Sequence, residues 1–325
     1  PTIDYQAGSL RDDFDFGPVV LLDGVARRQA AAELRRDRFA HAGLYALRLA
    51  VSRRAPVVRL GEPLYTVVET GSQGSGEGGF AYVDPRNRAR QIEMEQAVTH
   101  HLRQVGALLE PPFAAVSHRR GSFPVEASVV IPVRNRVRTV CEAARSALAQ
   151  ECPWPHNVIV VDNHATDGTT DQLRRLASRD PRLLHLVPAR ADLGIGGCWN
   201  EAVHDARCGR FVVQLDSDDL YRDQTTLRRI LEVFRAERCA MVIGSYQLTD
   251  FDLKPLPPGV IDHAEWTPDN GPNNALRING LGAPRAFFTP VLRQHNLPNV
   301  SYGEDYAIGL ALSRRYRIGR LYEPV

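Results

Sequence analysis

The chain has 325 residues, with 40 Lys plus Arg against 38 Asp plus Glu and a formal net charge of +2 at pH 7. At 43% hydrophobic and 24% charged, with 25 Gly and 22 Pro, it is globular, with one large domain or two ordinary ones, and is neither collagen-like nor disordered. Basic residues form only short clusters such as His118-Arg119-Arg120, so the electrostatic footprint of a nucleic-acid or anionic-membrane binder is missing.

In chain order, the first notable stretch is Leu44–Leu64, LYALRLAVSRRAPVVRLGEPL. It aligns without gaps on Asp305–Val325, DYAIGLALSRRYRIGRLYEPV, 261 residues later, with about half of the positions identical. The shared Arg-Leu-x-Glu-Pro at 59–63 and 320–324 lies beyond the amphipathic helix, which favours duplication over a chance match of Arg-rich helices. On this reading residues 1–70 close one module, and the main module stops at Val325 where its counterpart continues into Tyr65-Thr66-Val67. The chain is therefore expected to be a piece of a longer tandem polypeptide.

A glycine-rich stretch, Gly71–Gly79, and a polar segment, Ser117–Ser122, bracket a long helix at about 85–110. Asp84 and Pro85 supply its cap and first turn, and Met94, Val98, Leu102, Val105 and Leu109 recur at helical spacing up to Pro111. Residues 1–124 thus read as a smaller α+β segment, and 125–325 as the main domain.

After residue 125 strands and helices alternate. Apolar runs at Ser128–Val133, Val158–Asp162, Leu183–Leu186 and Phe211–Leu215 are separated by helical stripes, among them Val140, Cys141, Ala144 and Leu148, and Leu227, Ile230, Leu231 and Phe234. That order predicts an α/β fold with a mostly parallel central sheet flanked by helices.

The run Phe211–Leu215 leads straight into Asp216-Ser217-Asp218-Asp219. Residues i and i+2 of an extended chain face the same way, so Asp216 and Asp218 can address one ligand, and their oxygens suit magnesium or manganese. Two like charges about 5 Å apart repel by roughly 3 kcal/mol at an effective dielectric of about 20, so such a pair calls for a cation or open solvent. Asp223 stands ready to cap the following helix, which leaves Asp216 and Asp218 free of that task. Asp162 ends the second strand, while Asp167 or Thr169 can start the helix after it, so Asp162 is expected to face the cleft at the carboxyl ends of the strands. Pro132 and Asn135 flank the neighbouring loop. Later, Gly303-Glu304-Asp305 opens an amphipathic helix, and a carboxylate there can serve as general base or answer the helix dipole.

Other features carry less. Gly194-Ile-Gly196-Gly197 lacks dinucleotide spacing, and GxxxxGK[ST] is absent. Five cysteines, at 141, 152, 198, 208 and 239, form neither CxxC pairs nor an even set, so a reducing compartment and a cytoplasmic location are expected. His156, His164 and His185 read as ordinary turn or surface histidines, and Trp266 with Asn279–Pro284 reads either as acceptor-pocket lining or as core and turn. No apolar run is long enough to span a membrane.

Four segments in this order resemble the GT-A fold glycosyltransferases of family 2: ASVVIPVRN at 127–135, VDNHATDGT at 161–169, LDSDD at 215–219 as its DxD site, and GED at 303–305. The resemblance covers about 200 residues. It implies a metal-dependent inverting transferase that moves a sugar from a UDP-sugar to a hydroxyl of a glycan or other acceptor. Pro132 and Asp162 would then lie at uracil and ribose, with Val133, Arg134, Asn135, Asn200 and Ser217 also in the donor site. Asp216 would meet ribose or metal, Asp218 would meet Mn2+ or Mg2+, and His263 would be a further ligand. Asp305 would be the base, with Glu304 beside it. Two departures stand out: Trp199 occupies the position where the family has arginine, and Asn163 replaces its second aspartate. The alternatives are a sugar-nucleotide-binding module without catalysis and a nucleotidyltransferase, though Arg134–Val137 lacks the glycine-rich loop the latter needs.

Overall fold

The computed structural model describes residues 4–12, 14, 16–17, 19–34, 38–66, 87–264, 266–278 and 281–325. The Gly71–Gly79 stretch, the Asp84-Pro85 helix start, Val67, Asn279 and Gly280 lie outside them. Two compact units form: Pro1–Glu110 with Ala264–Gly280, and Pro111–His263 with Leu281–Val325. The division expected at 124/125 falls at 110/111, and the segment 264–280, including Trp266, belongs to the first unit.

The first unit is helical, and none of its described residues is in a strand. Asp23 caps the helix Gly24–Glu33, its carboxylate accepting from the N–H groups of Val25 and Ala26. Tyr45, Ala46 and Leu49 of the helix Gly43–Ser52 bury against Met94, Ala97, Val98 and Leu102 of the helix Arg88–Gln104. The latter stops at Gln104, short of the expected end near 110. Gly106, at φ +68°, turns the chain so that its N–H reaches Arg103 O and Ala107 N–H reaches Leu102 O, a Schellman stop. Val105 is consequently exposed, and Leu109 pairs through both backbone groups with the Asn273 amide. Arg277 is fully buried, and its guanidinium donates to Asp12, Gln91 and Asn274.

The second unit is built on an eight-stranded sheet: β1 (Ala127–Val133), β2 (His156–Asp162), β3 (Leu183–Leu186), β4 (Phe211–Gln214), β5 (Met241–Thr249), β6 (Pro255–Ile261), β7 (Arg285–Phe288) and β8 (Ile318–Pro324). The order is β3-β2-β1-β4-β7-β5-β6, with β8 also on β5. β3, β2, β1 and β4 are parallel, β7 runs against both β4 and β5, and β8 is parallel to β5. The near-continuous Val and Ile runs of β1 and β2 are buried on both faces, as a helix-covered parallel sheet requires. In the helix Thr226–Glu237, Leu227, Ile230, Leu231 and Phe234 form the buried stripe read from sequence. Its start is supplied differently, because Asp223 holds Thr225 and the side-chain oxygen of Gln150 receives the Leu227 N–H.

β1 pairs with β4 only from Ala127↔Phe211 to Val130↔Gln214, but with β2 as far as Val133↔Asp162. The two strands part where the winding of the sheet reverses, which is where open α/β sheets leave a crevice for ligands. Pro132 sits beyond the last β1–β4 pair, so its missing N–H costs no ladder bond on that side.

One consequence for stability comes from the first unit. His101 is buried, its Nδ1 lies 2.7 Å from Arg53 Nη1, and burial together with the Arg53 charge depresses its pKa from 6.5 to about 4. The unfolded chain therefore takes up this proton first, and folding loses stability as pH falls from about 6.5 to about 4. Thermal unfolding should shift downward across that window, less steeply in His101→Gln; equal slopes would show that His101 contributes nothing to it.

Candidate active site

At the end of β4, Leu215 and Ser217 turn inward while Asp216, Asp218 and Asp219 reach solvent. Arg136, from the loop after β1, approaches Asp218 with Nε 3.3 Å from Oδ2. Gln214 Nε2 donates to Asp216 Oδ1 at 2.9 Å, and Gln214 Oε1 accepts from Arg285 twice, from Nη1 at 2.8 Å and from the backbone N–H at 3.2 Å. Because β7 is antiparallel to β4, its first residue lies at the edge where β4 ends, and this brings Arg285 to the acids. Arg285 Nη2 then meets Asp305 Oδ2 at 2.6 Å. A continuous polar chain thus runs from Asp216 through Gln214 and Arg285 to Asp305. Sequence reading missed both links; an arginine at a strand start and a glutamine at a strand end carry no motif.

The electrostatics are those of crowded carboxylates. Asp219 is exposed, yet desolvation by the protein around it, with the charges of Asp216 and Asp218, lifts its carboxyl to about 6. Burial raises Glu304, with Asp305 and Asp216 adding to the effect and Arg285 opposing it. Glu304 is 8% exposed and its Oε2 has no hydrogen-bond partner among the described residues, so of the two late acids only Asp305, 30% exposed at its side chain, opens to solvent. Burial also raises the Tyr246 hydroxyl, beside Arg285 and Asp219.

The loop leading to Asp305 is fixed by the glycines of the helix Ile195–His204. A Cβ on Gly196 would stand 1.9 Å from Pro298 O, and one on Gly197 2.2 Å from Asn299 Oδ1. Gly196 N–H donates to Val300 O and Gly194 N–H to Asn299 Oδ1. Close approach explains these glycines better than phosphate binding does. Asn200, expected in the donor site, instead gives its amide to Leu297, donating to the carbonyl and accepting from the N–H at 2.8 and 2.9 Å. Trp199 is buried edge-on to Phe287.

On the β2 side, Asp162 is fully buried and accepts from Thr170 Oγ1 at 2.6 Å, Ala165 N–H at 3.0 Å and His185 Nε2 at 3.1 Å. Burial alone would raise its pKa, but these bonds, that from His185 foremost, bring it below the usual carboxylate range. The expected freedom of Asp162 is thus not realised: it holds the turn, and His185, taken for an ordinary histidine, is its partner. Asn135 Oδ1 accepts from Thr166 N–H at 2.7 Å, and Val137 N–H donates to Asp167, so the loops after β1 and β2 are laced together. Val133 is buried, Pro132 half-buried and Arg134 exposed at that edge. Asn163 donates to Leu193 O, while its own Oδ1 is buried without a partner among the described residues.

His263 does not join the acids. It is 2% exposed, follows β6 on the far side of β5 and β7 from β4, and packs its ring against Gly282. Among the described residues no three His, Cys, Asp or Glu side chains converge as a metal-ligand set, and all five cysteines are unpaired. No described helix is long and apolar enough to cross a membrane.

The sequence model of Glycosyl transferase family 2 matches residues 128–288. Among curated proteins, the teichuronic acid biosynthesis glycosyltransferase TuaG of Bacillus subtilis is 29% identical over 190 residues, 58% of this chain and 72% of that protein. A dodecaprenyl-phosphate galacturonate synthase of Rhizobium johnstonii is 24% identical over 37% of this chain, and the match spans only 36% of that protein. Among solved structures, residues 1–349 of S. aureus TarS align at a TM-score of 0.49 and 20% identity, covering 62% of this chain and 59% of that one. Residues 128–288, most of them in the second unit, thus form a family 2 glycosyltransferase domain.

The buried acid gives a test of the frame. Asp162→Ala leaves His185, Thr170 and the Ala165 N–H without their acceptor and should cost about 3 kcal/mol in urea unfolding. A loss under about 1 kcal/mol would show that the turn does not depend on Asp162.

Proposed function

We propose that the second unit moves a sugar from a UDP-sugar to a hydroxyl of a glycan acceptor, inverting the anomeric centre, in the cytoplasm. The observation that carries this reading is the chain Asp216–Gln214–Arg285–Asp305, which ties the acids at the end of β4 to a solvent-open carboxylate. The naming of TuaG for teichuronic acid biosynthesis supports a polysaccharide acceptor.

In this mechanism Asp305 takes the proton of the acceptor hydroxyl as that oxygen attacks the anomeric carbon. The bond from that carbon to the diphosphate oxygen breaks, and UDP leaves with the electron pair. Arg285 fixes the direction of the Asp305 carboxylate, and Gln214 fixes Arg285. Asp216 and Asp218 offer exposed hard oxygen donors and would hold Mn2+ or Mg2+. When bound, such an ion supplies charge for the leaving diphosphate. The donor's uridine lies along Pro132, Val133, Arg134, Asn135 and Ser217. Asp162 serves this site through the turn it holds. Asn200 and His263 are not part of it.

Calorimetric titration should show UDP binding that strengthens with manganese and is lost in Asp218→Ala. With an active UDP-sugar, Asp305→Asn should lower transfer at least about 100-fold while UDP affinity stays within about threefold. Arg285→Met should lower transfer about 10- to 100-fold, the worth of a charge-assisted hydrogen bond, again with UDP affinity kept. UDP binding with no UDP release from any donor would instead favour the sugar-nucleotide-binding module.

A further inference from the structure

The internal repeat extends to the structure. The helix Gly43–Ser52 and the helix Glu304–Ser313 are each ten residues long and start and stop at positions that the repeat aligns. Beyond the second helix the chain forms β8, which lies parallel on β5. Beyond the first, the matching residues 57–63 belong to no strand.

Those residues nevertheless have the pattern of a strand. Val58, Leu60 and Leu64 recur at even spacing and are 73%, 62% and 62% exposed, and Tyr65 beside them is 49% exposed. Leu44, at the start of the preceding helix, is 72% exposed. In β8 the aligned Ile318, Gly319 and Arg320 are buried against the sheet. An exposed apolar segment whose backbone makes no hydrogen bond to the backbone of a described residue is a template for strand pairing, and β8 shows which pairing this sequence pattern makes.

We infer that Pro56–Tyr65 is a docking strand, and that its partner is the β5-type edge of a second GT-A module. By the spacing that separates β8 from β5, the receiving strand comes ahead of the segment in the same polypeptide. The chain's own β5 is not the receiver, because β7 and β8 flank it. This inference rests on the fold and not on the proposed reaction, so loss of UDP binding or of transfer leaves it untouched.

A graft tests it on the full chain: Arg317–Val325 is replaced by Pro56–Leu64, and a second graft carries the same nine residues scrambled. The native-order graft should melt within a few degrees of wild type, with hydrogen exchange in the grafted strand slowed about as much as in β8, whereas the scrambled graft should exchange freely. Equal exchange in the two grafts overturns the inference. A chain lacking Ile318–Val325, with its β5 edge open, should bind a synthetic Ala55–Thr66 peptide that the intact chain ignores. If that truncated chain does not fold, the grafts still decide. Sedimentation of the intact chain gives the remaining arm. A monomer supports the assignment, and a dimer abolished by Leu60→Lys overturns it by making a second copy the occupant.

Discussion

The separation of β1 from β4 organises the catalytic unit. The strands pair only as far as Val130 and Gln214, and past that point their backbones must find other partners. β1 finds them in β2 and in the loop after it, through Asn163 N–H to Val133 O and Thr166 N–H to Asn135. The segment after β4 keeps one tie, Leu215 N–H to Val130 O, and then turns its carboxylates outward. A crevice with a hydrogen-bonded wall on one side and acids on the other results from where pairing ends, before any ligand is considered.

Filling that crevice with acids has an electrostatic cost, and the fold offsets it locally. Carboxylates a few ångströms apart repel by several kcal/mol at an effective dielectric of about 20. Arg136 meets Asp218 and Arg285 meets Asp305, while Asp219, which makes no ion pair among the described residues, shows the remaining repulsion as a raised pKa. The two arginines play different parts. Arg136 is half-exposed on a loop and can give way to a cation, whereas Arg285 is 14% exposed at a strand end and gripped by Gln214. The first suits an exchangeable counter-charge, the second a fixed one.

Much of this was legible in the sequence because it depends on period and order. The alternation of apolar runs with helical stripes gives the parallel half of the sheet, and the outward placement of Asp216 and Asp218 follows from strand geometry. What stayed hidden depends on contacts between distant segments. That Asp162 is consumed by His185 and Thr170, or that Asn200 holds Leu297, needs β2 beside β3 and one helix beside the 297–300 loop; neither residue differs in sequence from one that faces a ligand. The glycines at 194, 196 and 197, which lack dinucleotide spacing, likewise take their meaning from a distant segment. Glycine serves close approach of any backbone, a neighbouring loop as readily as a phosphate. The end of the helix at Gln104 was readable in principle from Gly106, but apolar residues at 105 and 109 continued the period past the stop.

The two copies of the repeated helix show how far such a pattern constrains packing. Ala46 and Leu49 are buried in the first, whereas their counterparts Ala307 and Leu310 are exposed and half-buried. Conversely, Ile308 is buried in the second while Leu47 is only half-buried. A helix apolar on more than one face specifies that it must be covered, not which side is covered first. In the catalytic unit the helix Ile195–His204 and Leu281 lie against one face. In the helical unit the neighbouring helices take the other, leaving outward a surface that includes Leu44 and the strand-like residues after Ser52. The repeated pattern thus keeps the sequence requirement for two-sided burial, and in the first unit the described residues cover one side of it.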